Sequence, residues 1–241
     1  MAAFPLHVEL ESEKETAMRR LALAGLALAA TLPAAAATFS VTTAADTGAG
    51  SIRQAILDAN ANPGADTIHF AIPGSGVQTI ALGSSLPTIS EALIIDGYSQ
   101  PGASANTNGP DEGSNAVIRI ELDGQGGFHL IGVTIGAANV QVRGLAVQRC
   151  DVGVRVTTGG SGAVIAGNFI GTDATGTLAP GEQITGIQVQ DSSGATGVVI
   201  GGLSPADRNV VAGNDNGISL DSGTGHVIQG NLVGLDAAGT R

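Results

Sequence analysis

The chain has 241 residues and a formal net charge of −11, with one cysteine and only 2% aromatic residues. This acidic balance argues against nucleic-acid and anionic-lipid partners, which are held by basic patches. A single cysteine cannot form an internal disulfide, so Cys150 is expected to be a small buried residue. The 37 glycines and the 43% hydrophobic content indicate short strands of Val, Ile and Leu joined by tight turns.

The first 37 residues have the order of a secretion signal. Arg19-Arg20 precede an apolar run over residues 21–32, and the alanines at 35–37 offer small residues for cleavage. Met18, directly before the arginines, is a candidate for the true start, and the apolar run is too short to span a bilayer. We therefore expect an exported mature domain over residues 38–241, without an integral membrane segment and with a net charge of −10.

One helix is predicted over residues 51–60. Ser51 and Gln54 have the spacing of a capping box, in which the hydroxyl accepts from the Gln54 amide and the Gln54 side chain reaches back. Apolar residues recur at helical spacing and form a single stripe, namely Ile52, Ala55, Ile56 and Ala59. This stripe is expected to cover the open apolar end of a β-stack.

Short strands are predicted along the first half of the mature domain, because alternating and β-branched residues recur between Gly- and Pro-rich turns. They lie at residues 38–43, 67–72, 77–82, 92–96, 117–122 and 128–135. A polar loop over residues 99–114 interrupts them, and its length indicates a functional segment or an insertion.

An internal repeat organises the second half. Gly167-Asn-Phe-Ile-Gly-Thr-Asp-Ala-Thr-Gly-Thr177 returns as Gly230-Asn-Leu-Val-Gly-Leu-Asp-Ala-Ala-Gly-Thr240, with a partial copy in Val211-Ala-Gly-Asn214. Coils of roughly twenty residues with variable loops fit this pattern. Strands this short pair in parallel with the equivalent strand one coil away, at about 4.8 Å. The sequence therefore predicts an all-β fold, a parallel β-helix (solenoid) with one short N-terminal capping helix.

Three stretches resemble known families. Ser51-Ile-Arg-Gln-Ala-Ile56 and its surroundings resemble the N-terminal cap of bacterial surface proteins of the CSLREA family, with Gly50 in place of the family's cysteine. Ile95-Asp-Gly-Tyr-Ser-Gln-Pro-Gly102 and Gly171-Thr-Asp-Ala-Thr-Gly-Thr177 resemble secreted proteins with pectate-lyase-like repeats. The resemblance implies a right-handed β-helix, a fold that carries lyases, hydrolases and adhesins alike.

Recurring asparagines are candidates for structural residues. Asn168, Asn214 and Asn231 lie 46 and 17 residues apart, and each follows a Gly in the repeat. We expect them to stack in a ladder of side-chain amides at one turn.

Asp191 and Asp221 are candidate catalytic or Ca²⁺-binding residues. Each ends an equivalent strand and opens a Ser-Gly turn. On neighbouring coils their carboxylates would lie about 5 Å apart, near the separation used by retaining glycosidases, and carboxylate oxygens also suit Ca²⁺. Ordinary turn chemistry explains the same residues without a ligand.

Arg155 and Asp151 are the remaining catalytic candidates. Arg143, Arg149 and Arg155 lie in one predicted coil, and a lyase of this fold needs an arginine base beside a Ca²⁺-binding acid cluster. Asp151 is the only acid near them in sequence, so a surface ion pair is the simpler interpretation.

The sequence favours a secreted or cell-surface β-helix module without catalysis, used for adhesion or as a passenger-type structural domain. Its expected partners are glycans or surface proteins, with no cofactor apart from a candidate Ca²⁺. The alternative is a polysaccharide lyase or glycoside hydrolase that acts on acidic polysaccharide. Because no capping segment follows the last repeat, we also expect a longer native protein.

Overall fold

The computed structural model describes residues 35–127, 129–190 and 194–240. The predicted secretion signal, up to its cleavage positions, and the candidate Asp191 lie outside the described residues. Within the described ranges, no helix is long and apolar enough to cross a membrane.

In the described residues, seventeen short strands form three sheets. Sheet A contains, in spatial order, β1 (Thr38–Val41), β2 (Asp66–Phe70), β4 (Leu93–Asp96), β7 (Gln141–Arg143), β10 (Val164–Ala166), β13 (Val199–Gly201) and β16 (Val227–Gln229). Sheet B contains β3 (Gln78–Ala81), β5 (Ile120–Asp123), β8 (Leu145–Gln148), β11 (Phe169–Ile170), β14 (Val210–Val211) and β17 (Leu232–Val233). Sheet C contains β6 (Ile131–Ile135), β9 (Val152–Val156), β12 (Gln183–Val189) and β15 (Asn214–Leu220).

From β4 onward the chain visits sheets A, B and C in turn, and all pairings between these strands are parallel. This topology is a parallel β-helix, as predicted. Equivalent residues stack in columns through the interior, for example Ile95, Val142, Ile165 and Ile200, all fully buried. The stacked columns of Val, Ile and Leu supply the apolar burial that stabilises the fold.

Helix α1 (Ile52–Ala61) packs against β1 and β2 at one end of the stack. The predicted stripe is buried in the main core, so the helix covers the first coil as expected. Ser51 is the N-cap, and its hydroxyl accepts from the Gln54 N–H at 3.2 Å. The reciprocal half of the predicted capping box is not formed, because the Gln54 amide donates to Asp58 at 2.8 Å. The Ser51 N–H donates to the Gly48 carbonyl instead.

A column of glycines runs through sheet C at Gly132, Gly153, Gly186 and Gly217, which the strand register aligns. A Cβ on Gly186 would lie 2.5 Å from the Gly217 carbonyl oxygen and 2.9 Å from Val211 Cγ1. At Gly132, Gly153 and Gly186 the carbonyl of the next coil and a side chain of sheet B thus leave no room for a Cβ, whereas at Gly217 the nearest atom, Val233 Cγ1, would lie 3.1 Å away. These close contacts explain why strands β6, β9 and β12 share a Gly at the same position.

The repeated loops cover the outer face of sheet B. The loop after β11 and the loop after β17 touch each other, with the Ala237 N–H donating to the Gly176 carbonyl at 2.8 Å. Beneath the loops lies a second apolar cluster of Ile118, Ala146, Phe169, Ala174, Val210 and Ala237. The repeat thus encodes a sheet B strand together with the loop that shields it.

Candidate functional site

The asparagine ladder stands at the corner between sheets A and B. The Asn209 Nδ2 donates to Asn231 Oδ1 at 2.8 Å, and Asn168 Nδ2 donates to Asn209 Oδ1 at 3.2 Å. Asn168 also accepts the Leu145 N–H and donates to the Val142 carbonyl, so it ties one coil to the next. These contacts give the ladder a structural role.

The prediction that Asn214 belongs to this ladder is wrong, and Asn209 holds the position. Asn214 lies one corner later, between sheets B and C, where its Nδ2 donates to the carbonyls of Ile170 and Ala212 at 3.1 Å. The apolar pair before Asn214 is β14 of sheet B, whereas the apolar residues before Asn168 are β10 of sheet A. Two similar Gly-Asn segments therefore lie at different corners, Asn168 between sheets A and B and Asn214 between sheets B and C.

The three arginines of one coil point to three different parts of the molecule. Arg143 on sheet A forms a bidentate pair with Asp96, with N···O distances of 3.0 and 2.9 Å. Arg149, after β8, forms a second bidentate pair with Asp123, and this hydrogen bonding raises the pKa of Arg149. Both guanidinium groups connect neighbouring coils, and each is paired with an acid other than the candidate Asp151.

Arg155 lies in a polar row across the outer face of sheet C. The strand register aligns Thr134, Arg155, Gln188 and Ser219 on consecutive strands. Arg155 Nε donates to Gln188 Oε1 at 2.9 Å, and Gln188 Nε2 donates to Asp221 Oδ2 at 2.9 Å. Two predicted site residues, Arg155 and Asp221, are thus joined through Gln188, a residue that the sequence did not single out. We call Thr134, Arg155, Gln188, Ser219 and Asp221 together the sheet C row.

Arg155 is partly buried, and this burial affects the pKa of its guanidinium group. Burial lowers the pKa of Arg155, and the nearby Asp151 carboxylate opposes that shift. An arginine remains protonated at any physiological pH even with a lowered pKa. The sheet C row therefore presents one fixed cation between neutral donors and the Asp221 carboxylate.

A cleft of about 410 Å³ opens beside the first residues of β12 and β15. Its lining includes the carboxylates of Asp151, Glu182 and Asp215 together with the exposed Ile184. Asp151 also accepts the His129 N–H at 2.6 Å, with the His129 ring nitrogen 3.5 Å from the same oxygen. We call the cleft lined by Asp151, Glu182 and Asp215 the acidic cleft.

Sequence reasoning missed Glu182 and Asp215. The register pairs Val152, Thr185 and Asn216, so the residues directly before them, Asp151, Ile184 and Asp215, also align on consecutive coils. An alignment of the three coils by their shared Gly-apolar-polar-apolar segments would have placed Asp151 and Asp215 in one column. Glu182 follows a loop of unrelated length, and no sequence signal marks it.

Only one residue of the predicted Ca²⁺ site, Asp221, lies in the described part of the chain. Asp221 is held by Ser219 and Gln188, while its proposed partner Asp191 is outside the described ranges. Among the described residues, no group of three or more His, Cys, Asp and Glu side chains is placed to hold a metal ion. The Asp191–Asp221 pair stays a prediction.

No protein-family model and no curated protein matches this chain. The resemblance to the CSLREA family therefore stays a prediction as well.

Proposed function

We propose that the mature domain is an exported, non-catalytic β-helix module that binds a partner through the outer face of sheet C. The observation that carries this proposal is the sheet C row, in which consecutive coils hold polar side chains in register. Side chains fixed by neighbouring hydrogen bonds lose little further conformational entropy when a ligand binds. The predicted leader and the resemblance to bacterial surface proteins support export.

The charges beside the row indicate the chemistry of the partner. Asp151, Glu182 and Asp215 line one side of the face, and Arg155 is the single arginine in the row. A polyanionic chain lying across this face would meet like charges, which disfavours binding. We infer a neutral glycan or a basic surface of another protein as the partner.

A glycoside hydrolase is the second candidate, favoured by the acidic cleft alone. Carboxylates on neighbouring coils can serve as general acid and base toward a sugar bound between them. The acidic lining makes a neutral polysaccharide a better substrate than a polyuronate.

The test measures binding of the full chain to immobilised neutral polysaccharides, to polygalacturonate and to a basic protein surface. We expect binding to a neutral or basic partner that falls at least tenfold, ~1.4 kcal/mol, in Arg155→Ala and Gln188→Ala. Gln141→Ala, on sheet A, is the matched control and should bind as the parent does. Binding to polygalacturonate alone, or binding indifferent to Arg155 and Gln188, contradicts the proposal.

The hydrolase alternative is tested on the same polysaccharides by release of reducing ends. Activity that is lost in both Asp151→Asn and Glu182→Gln but kept in Arg155→Ala would replace the binding proposal with the enzymatic one. Absence of reducing ends with intact binding supports the non-catalytic module.

A further inference from the structure

The polar loop over residues 99–114 carries one of the two Asn-Gly dipeptides in the chain, Asn108-Gly109, and the other is Asn216-Gly217. In such a dipeptide the glycine nitrogen can attack the asparagine side-chain amide, because glycine has no side chain to hinder ring closure. Whether this happens depends on the backbone around the dipeptide and on a group that accepts the proton of the attacking N–H.

The loop places an acceptor at that proton. The Gly109 N–H donates to Glu112 Oε2 at 3.0 Å, within the reach required of a general base. The Asn108 side chain is half-buried, so water can reach it, and its Nδ2 donates to the Gly113 carbonyl at 2.9 Å. The nucleophile, its base and the leaving amide are therefore all fixed within one turn.

We propose that Asn108 is a site of spontaneous deamidation assisted by Glu112. The Gly109 nitrogen gives its proton to the Glu112 carboxylate and forms a bond to Asn108 Cγ. The Cγ–Nδ2 bond then breaks, and the amide nitrogen leaves as ammonia with the proton returned by Glu112. Water opens the resulting five-membered succinimide ring to aspartate or isoaspartate, and no oxidant or reductant is needed.

Asn216-Gly217 provides an internal comparison within the same protein. Asn216 lies in β15, where the ladder with β12 holds the backbone extended and pairs Asn216 with Thr185. Ring closure there requires local opening of the sheet, which costs free energy before the chemical step. Deamidation is therefore directed to the loop.

The modification alters a loop that encloses a buried charge. Arg208 is 5% exposed and donates to the carbonyls of Gly109, Glu112 and Gly113 at 2.7, 2.7 and 3.2 Å. Deamidation removes the Asn108 contact with Gly113 and adds a carboxylate next to Glu112. An isoaspartate also lengthens the main chain inside the carbonyl set that holds Arg208.

The experiment incubates the full folded chain at neutral pH and follows the Asn108 and Asn216 peptides by mass spectrometry, together with an isoaspartate-specific methylation assay. We expect Asn108 to convert at least tenfold faster than Asn216. Glu112→Gln keeps an acceptor for the Gly109 N–H but is not a base, and it should slow conversion at Asn108 roughly tenfold or more.

Gly109→Ala is the steric control. Its backbone is outside the left-handed region, and an added Cβ would meet only Glu112 Oε2, at 3.8 Å, so the variant should fold while conversion slows. Conversion at Asn216 should be the same in all three proteins. Equal rates at Asn108 and Asn216 in the parent overturn the site, and an unchanged Asn108 rate in Glu112→Gln overturns the role of Glu112.

Discussion

Single side-chain amides complete the corners of this solenoid. Where the chain bends from sheet A to sheet B, its backbone groups cannot all pair within the sheets. The side-chain amide of Asn209 supplies the hydrogen-bond partners that these groups would otherwise lack. Asn209 is fully buried, accepts the Asn168 N–H at 2.9 Å and donates to the Ile165 carbonyl at 2.8 Å. A buried polar group that loses such partners costs more than the bond itself contributes.

Asn209→Ala should lower the free energy of unfolding by about 2–4 kcal/mol, because it leaves the Asn168 N–H and the Ile165 carbonyl without partners in the interior. Asn214→Ala is the comparison, since Asn214 is only half-buried and its Oδ1 already has no partner. We expect about 1 kcal/mol for that variant. Urea unfolding measures both, and a larger loss for Asn214 would contradict the ladder.

Cys150 is fully buried, as predicted, and burial raises the pKa of its thiol to about 12. An unfolded chain releases this proton near pH ~8.5. Between these values the folded state keeps a proton that the unfolded state has lost, so stability falls as the pH rises. The slope from this one thiol approaches ~1.4 kcal/mol per pH unit.

Urea unfolding at pH 7, 9 and 11 measures that slope in the parent and in Cys150→Ala. The variant is expected to be less stable at pH 7 but to lose less stability on going to alkaline pH. Burial raises the pKa of Tyr98 also, so some alkaline loss should remain in both proteins. Identical pH slopes would contradict the assignment to Cys150.

Helix α1 is the element whose boundaries and buried face follow most directly from local sequence. A helix start depends on a capping hydroxyl and an apolar stripe, and both are encoded within ten residues. The strands are as short as two residues, as in β11 and β14, and stay in place only by pairing with neighbouring coils. Strand existence was predictable from Val and Ile content, whereas sheet membership was not.

Removing the Ser51 and the Gln54 side chains of the expected capping box should lower the stability of the protein by different amounts. Ser51→Ala removes the hydroxyl that accepts from the Gln54 N–H and should cost ~1 kcal/mol. Gln54→Ala removes only a surface contact with Asp58 and should cost about 0.5 kcal/mol or less. Thermal unfolding compares the two variants, and equal losses would indicate a complete capping box in solution.

At the scale of the whole molecule, the two ends of the stack differ. Helix α1 covers the first coil, while β15, β16 and β17 are the outermost strands of their sheets. Val227, Ile228 and Val233 are 41%, 43% and 49% exposed, although the residues stacked beneath Ile228 and Val233, Ile200 and Val211, are buried. In a solenoid each coil depends on its neighbours, so a chain of these 241 residues should lose stability toward β15, β16 and β17.

Hydrogen exchange should therefore show a gradient along the axis. Backbone amides of β16 and β17 are expected to exchange faster than those of β7 and β8, because local opening at an outer coil exposes less apolar surface. Exchange measured by peptide mass spectrometry tests this directly. Uniform protection from β7 to β17 would show that the stack opens as a single unit.

The sequence by itself determined the kind of fold and helix α1. Recurring Gly, Asn and β-branched residues specify short strands and tight corners, and these preferences act over a few residues. Tertiary structure decided which residues share a corner or a cleft, because coil length varies with every inserted loop. Ile94 pairs with Gln141, 47 residues later, whereas Gln141 pairs with Val164, only 23 residues later. Pairing between coils, and not spacing along the chain, placed Asn209 in the ladder, joined Arg155 to Asp221 and brought Glu182 and Asp215 to Asp151.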